Sequence, residues 1–175
     1  RGLPPAWDNA KDWPQMRELL GDPTLKPSPE VVDFTRRAFL DWLRLRAQTP
    51  LLRVSTAEEV QRRLRFLDID ARSGVIAAHL DGKDLRDSPH AAVLYALNVS
   101  AEAQSFDLPL GPDAQAHLAG EWRLHPALAE GVDLRIREAV VEAVSPNAPG
   151  AVVRLRFSLP AHTAVVWIRP HASLQ

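Results

Sequence analysis

"AVVRLRFSLP" (residues 151–160) and, just after it, "TAVVWIRP" (163–170) decide the fold. In the first, Val153, Leu155, Phe157 and Leu159 fall on one side and Arg154, Arg156 and Ser158 on the other, the period of two of a half-buried strand. Working back along the chain, the same short segments recur. "VDLRIREAVVEAV" (132–144) starts with Val132, Leu134 and Ile136 on one face, and "EWRLHP" (121–126) alternates through Trp122 and Leu124. "QSFDLPL" (104–110) alternates through Phe106, Leu108 and Leu110, and "RLRFLD" (63–68) through Leu64 and Phe66. "AAVLYALN" (91–98) is nearly all apolar, as a central strand is, and "GVIAAHLD" (74–81) follows a glycine turn. About seven or eight such strands, separated by Gly, Pro, Asn and Asp, predict an antiparallel β-sandwich. No helices alternate with them, so a parallel sheet is not expected.

Upstream of Pro50 the period changes to that of helices. "SPEVVDFTRRAFLDWLRLRAQTP" (28–50) has Ser28 as N-cap, Pro29 at the first helical position and Pro50 as the stop. Val31, Phe34, Ala38, Trp42 and Leu45 form an apolar stripe, widened by Val32, Phe39 and Leu43. Asp33, Arg36, Arg37, Asp41 and Arg44 take the opposite face. A stripe so rich in aromatics calls for a large partner, only part of which the strands can supply. "DWPQMRELLG" (12–21) is a second helix, with Asp12 and Gln15 set as a capping box and Gly21 as its stop. "DPTLKPSP" (22–29) is irregular, and "STAEEVQ" (55–61) is a short helix boxed by Thr56 and Glu59. The opening "RGLPPAWDNAKDWP" (1–14) reads as a shaped loop.

Composition narrows the function. Hydrophobic residues make up 46% and charged residues 25%, values of an ordinary globular protein. Lys+Arg (21) nearly cancel Asp+Glu (22), which argues against nucleic acid or an anionic membrane as partner. No apolar run reaches the roughly 20 residues that span a bilayer. The absence of cysteine excludes disulfides and thiolate chemistry. His79, His90, His117, His125, His162 and His171 show no His-x-x-x-His pairing, and neither a nucleophile elbow nor a phosphate-binding glycine loop is present. No catalytic residue, metal ligand or cofactor is therefore assigned. "DIDARSG" (68–74) starts like a calcium loop, but Arg72 stands at a ligand position and the glycine comes late, so a hairpin turn is expected. "DGKDLRD" (81–87) reads as a solvated acidic loop, and "NVS" (98–100) is a glycosylation sequon. Among the tryptophans, Trp42 and Trp122 read as core. Trp167, out of phase with Val166 and Ile168, faces outward or packs a second face, and Trp7 and Trp13 lie in the opening loop.

Four segments in order carry a resemblance: "GLPPAWDNAKDWPQMRELLGDPTLKPSPE" (2–30), "LRLRAQTPLLRVSTAEEVQRRLRF" (43–66), "EWRLHPAL" (121–128) and "FSLPAHTAVVWI" (157–168). Together they resemble the C-terminal end of pullulanase-type starch-debranching enzymes, the pullulanase and limit-dextrinase branch of the α-amylase superfamily. Each motif alone is common; the ordered set is specific. The resemblance implies that residues 1–50 are the last loop and helix of a truncated (β/α)₈ catalytic barrel and that 51–175 are the C-terminal β-sandwich. It implies a parent hydrolase of α-1,6-glucosidic bonds, with pullulan, limit dextrin or starch as substrate. A whole barrel needs about 250 residues, and the paired carboxylates of a retaining glycosidase sit on barrel strands upstream of the Gly-Leu-Pro-Pro loop. The chain alone is thus expected to hydrolyse nothing, and Arg1 to mark a severed barrel loop, loosely held. The expected partner is the upstream barrel, met by Phe34, Phe39, Trp42 and Leu45, with α-glucan as ligand of the intact enzyme. Leu3 and Trp7 are the substrate contacts such a loop would offer there. Two other readings compete: an α-glucan-binding module using outward aromatics such as Trp167 and Tyr95, and a homotypic interaction domain.

Overall fold

A computed structural model describes residues 3–118, 120–144 and 152–171. Arg1 and Ala151, at the ends of two segments read above, lie outside the described residues. The chain divides into two compact units, Arg1–Arg37 and Ala38–Gln175.

In the first unit, helix α1 (Ala6–Asn9), a 3₁₀ turn (Ala10–Asp12) and α2 (Trp13–Gly21) follow one another almost without a break. The opening segment is thus short helices, not a loop. The Trp13 indole N–H donates to the Pro4 carbonyl at 3.0 Å. Asp12 makes no side-chain cap bond, contrary to the capping-box expectation, because the 3₁₀ turn already holds it in helical φ/ψ. A second 3₁₀ turn (Pro23–Leu25) is closed by Asp22, whose Oδ1 accepts the Thr24 N–H at 2.8 Å. Helix α3 (Pro29–Gln48) begins where predicted: Ser28 Oγ accepts the Val31 N–H at 3.3 Å.

The second unit takes the end of α3, a 3₁₀ turn (Pro50–Arg53) and α4 (Ala57–Arg63), then two antiparallel sheets. Thr56 caps α4 by accepting the Glu59 N–H at 3.2 Å, while the Glu59 carboxylate turns to Arg62 and Arg63, each at 2.6 Å. The strands are β1 (Leu64–Phe66), β2 (Val75–Asp81), β3 (His90–Asn98), β4 (Gln104–Pro109), β5 (Arg123–Leu124), β6 (Val140–Val144), β7 (Arg154–Leu159) and β8 (Thr163–Pro170). Helices α5 (Pro112–Leu118) and α6 (Pro126–Ala129) flank β5. One sheet is ordered β1-β2-β3-β8-β5, the other β4-β7-β6. This is the mostly β, antiparallel two-sheet architecture expected, with β3 central.

The core lies between the sheets. Val153, Leu155, Phe157 and Leu159 are all buried, as their alternation requires. Phe157 stacks on its cross-strand partner Phe106 at 5.1 Å and meets Trp167 of the other sheet edge-on at 6.2 Å. Trp167 is therefore core, 2% exposed, and Trp122 is 7% exposed, its indole N–H donating to the Leu118 carbonyl at 2.9 Å. The outward option for Trp167 is corrected: β8 is flanked by β3 and β5 and packs both faces.

Two further expectations change. Residues 134–138 form a 3₁₀ turn, with strand only from Val140, because Asp133 accepts the Arg135 N–H and ion-pairs with the Arg135 guanidinium at 2.7 Å. This local bonding competes with a ladder, and Leu134 is exposed. Phe66, predicted in phase with Leu64, is 65% exposed, since β1 is a short edge strand. The "DIDARSG" segment is the hairpin connection expected: Asp70 accepts the Arg72 N–H at 2.9 Å, and Gly74 takes φ +67°.

Asn98, the sequon residue, is buried. Its Nδ2 donates to the carbonyls of Glu102 (2.9 Å), Leu159 (3.3 Å) and Pro160 (2.9 Å), and its Oδ1 accepts the Ser100 N–H at 3.0 Å. The amide that a glycan would need is engaged in tying the end of β3 to the β7–β8 turn. Asn98→Ala leaves these groups without their partner and should cost about 2 kcal/mol, read from the urea midpoint.

Candidate functional site

Helix α3 has two apolar flanks, not one broad stripe. On the first, Leu45 is 1% exposed and Trp42 packs half-buried against the core. Asp41, assigned to the polar face by sequence, belongs here: it is 7% exposed, and its Oδ2 accepts the Val132 N–H at 2.9 Å. Arg44 supplies the countercharge to Asp41 Oδ1 at 3.1 Å. Gly131 permits the approach, because a Cβ there would lie 2.9 Å from Asp41 Oδ2. Below Leu45, Thr49 donates to the Leu45 carbonyl at 2.8 Å and lies 3.1 Å from His125 Nε2. Since His125 Nδ1 accepts the Ala127 N–H at 3.1 Å, Nε2 carries the proton of the neutral ring and donates to Thr49. The end of α3 is thus keyed to the N-cap of α6, to the loop that follows α6 and to the core by a carboxylate, a hydroxyl and two apolar side chains.

The second flank faces away from that contact. Phe39 and Leu43, at i and i+4, are 62% and 47% exposed, and Leu40 beside them is 43% exposed. Of the four residues expected to meet a barrel, Leu45 and Trp42 are already taken by the core of this chain; Phe39 is open and Phe34 is at the border of exposure. The reason is angular: Trp42 and Leu45 share the side of the helix that holds Asp41.

The remaining sequence candidates scatter. Leu3 is half-buried, and Trp7, on α1, is 86% exposed. Tyr95 is partly buried against the core. Asp84 and Asp87 are exposed in their acidic loop, as expected. Among the described residues no group of three His, Asp or Glu side chains is placed to hold a metal, and no helix is long and apolar enough to cross a membrane.

Sequence reasoning missed a cleft of about 300 Å³ on the second unit, walled by α4, β1, β2 and α5. Phe66, Arg62, Arg65, Asp113 and His117 line it, with His79 at its buried end. His79 and His117 stack at 5.9 Å, and His117 Nδ1 lies 3.6 Å from Asp81 Oδ2. These residues are far apart in sequence and come from elements of different period, so no spacing announces them.

An all-antiparallel two-sheet domain preceded by helices defines the class: a β-sandwich domain. A family model described as "Alpha-1,6-glucosidases, pullulanase-type, C-terminal" matches residues 1–170. The chain belongs to this family of pullulanase-type C-terminal domains. It is 28% identical over 174 residues to Pullulanase 1, chloroplastic, of Arabidopsis thaliana, covering 95% of this chain and 17% of that protein. Among solved structures it is similar to the pullulanase of Anoxybacillus sp. LM18-11 complexed with maltotriose (19% identity, TM-score 0.48, 76% of this chain, 14% of that one). It is also similar to the pullulanase of Bacillus acidopullulyticus (16% identity, TM-score 0.47, 75% and 13%). The chain thus spans about a sixth of the length of the curated relative it matches.

Proposed function

We propose that this chain is the non-catalytic C-terminal domain of an α-1,6-glucan debranching hydrolase, and that it packs on and stabilises the catalytic barrel of the same polypeptide. In this reading residues 1–50 close the barrel, and α3 belongs to both layers. The observation that carries it is the division of α3. One flank, with Asp41 and Leu45, is anchored to the core of the second unit, and the other, with Phe39, Leu40 and Leu43, presents apolar surface. The membership of the chain in a family of pullulanase-type C-terminal domains supports the parent activity.

The test is Phe39→Asp, made both in the intact parent enzyme and in this chain. In the parent it places a charge where an aromatic ring is buried and should cost about 2 kcal/mol or more, lowering the barrel's melting midpoint. In the chain alone the position is exposed, and the change should stay within about 0.5 kcal/mol. Equal effects in the two contexts would refute barrel packing. Sedimentation of the chain over a range of concentrations separates this reading from self-association through the same flank. The purified chain is also expected to release no reducing sugar from pullulan.

A further inference from the structure

We propose that the cleft walled by α4, β1, β2 and α5 binds a neutral sugar ring. The site is independent of the α3 flank and makes no use of the tryptophans. Its volume of about 300 Å³ lies at the small end of ligand sites, the size range of a short oligosaccharide's terminal ring.

Its lining sorts the ligand classes. Arg62, paired with Glu59 at 2.6 Å, and Arg65, whose Nη1 donates to the Gln61 and Leu64 carbonyls, bring positive charge, and Asp81 and Asp113 bring negative, while the buried Arg63 is spent on Glu59 and on the carbonyls of Asp81 (2.9 Å) and Lys83 (2.7 Å). With signs mixed at close range, the cleft favours neither a phosphate nor a cation. It offers the remaining guanidinium N–H groups of Arg62 and Arg65 beside carboxylate acceptors, the pattern that vicinal hydroxyls satisfy in both directions. Phe66, 65% exposed at the rim, supplies a flat apolar face for the C–H side of a pyranose.

The buried end of the cleft points the same way. His79 is 5% exposed and its Nδ1 has no hydrogen-bond partner among the described residues. A buried polar atom of this kind calls for a bound group or a water beneath one. Burial, with the nearby His117, holds the His79 ring neutral down to about 4. At neutral pH it thus presents either a donor or an acceptor and no charge, which suits a hydroxyl and not an ion.

The experiment titrates the chain with maltotriose, and separately with inorganic phosphate, following the imidazole ¹H–¹⁵N signals of His79 and His117. Maltotriose should move both signals saturably, and phosphate should not. Phe66→Ala and Asp113→Asn alter exposed side chains; each should weaken maltotriose binding roughly tenfold while leaving the melting midpoint in place. Three outcomes would overturn the proposal: silence of both signals up to the solubility limit of the sugar, movement by phosphate alone, or undiminished binding in Phe66→Ala. None of them bears on the Phe39→Asp result, so the two proposals fail separately.

Discussion

Taking the chain from pH 7 to pH 4 should remove stability through two buried histidines, His79 and His125, each contributing on the order of 2 kcal/mol. Both are lowered from 6.5 to about 4, in each case chiefly by desolvation. The unfolded chain therefore binds more protons than the native one between these limits. Stability falls as pH drops below 6.5, by at most about 1.4 kcal/mol per unit for each ring, and the loss levels off below about pH 4. For His125 the structural cause is direct. Its Nδ1 accepts the Ala127 N–H, so a proton there breaks the cap of α6 and sets two donors face to face. His90, 5.8 Å away, adds a further unfavourable charge when protonated. For His79, His117, Arg65 and Arg169 oppose protonation and Asp81 favours it. Urea midpoints measured across this window check the slope. His79→Phe should flatten it by about half, and a chain whose midpoint is constant from pH 7 to 4 would show that neither ring is buried neutral.

Phe157→Ala should cost about 3–5 kcal/mol, enough to unfold much of the population of a domain this size at moderate temperature. Phe157 is fully buried at the centre of β7 and spans the sandwich, touching Phe106 within its own sheet and Trp167 in the other. Truncation removes both ring contacts and leaves a void that neither sheet can close without shifting its ladder. Phe157→Leu keeps most of the volume and should cost about 1.5 kcal/mol or less. Guanidinium melts followed by tryptophan fluorescence compare the two, and similar midpoints for both variants would mean that the inter-sheet contact carries little.

The strands were legible because a sandwich buries one face of each. β7 shows the pattern at its plainest, and β3 shows the continuous apolar run of a strand with neighbours on both sides. Where the reading departed from the structure, a local bond or an edge had overruled the pattern. Asp133 turned residues 134–138 into a 3₁₀ helix, the 3₁₀ turn before α2 left Asp12 without a capping role, and the edge position of β1 left Phe66 in water. The proposed surfaces were legible only in part. Phe39 was visible as apolar residue on a helix, but apolarity does not say which flank meets which partner. The cleft was invisible, since His79, Asp113 and Phe66 share neither a period nor a motif.

By itself, then, the sequence determined the helix-to-strand division, the antiparallel two-sheet class and, through its ordered motifs, the family. All of these follow from local periodicity and from residues met in order along the chain. The tertiary structure alone decided that Asp41 and Leu45 face the core while Phe39 does not, that Asn98 is a buried tie, and that two histidines sit neutral inside. Those facts depend on what lies across from each side chain, and a residue's burial and partners are set by the packing of distant segments.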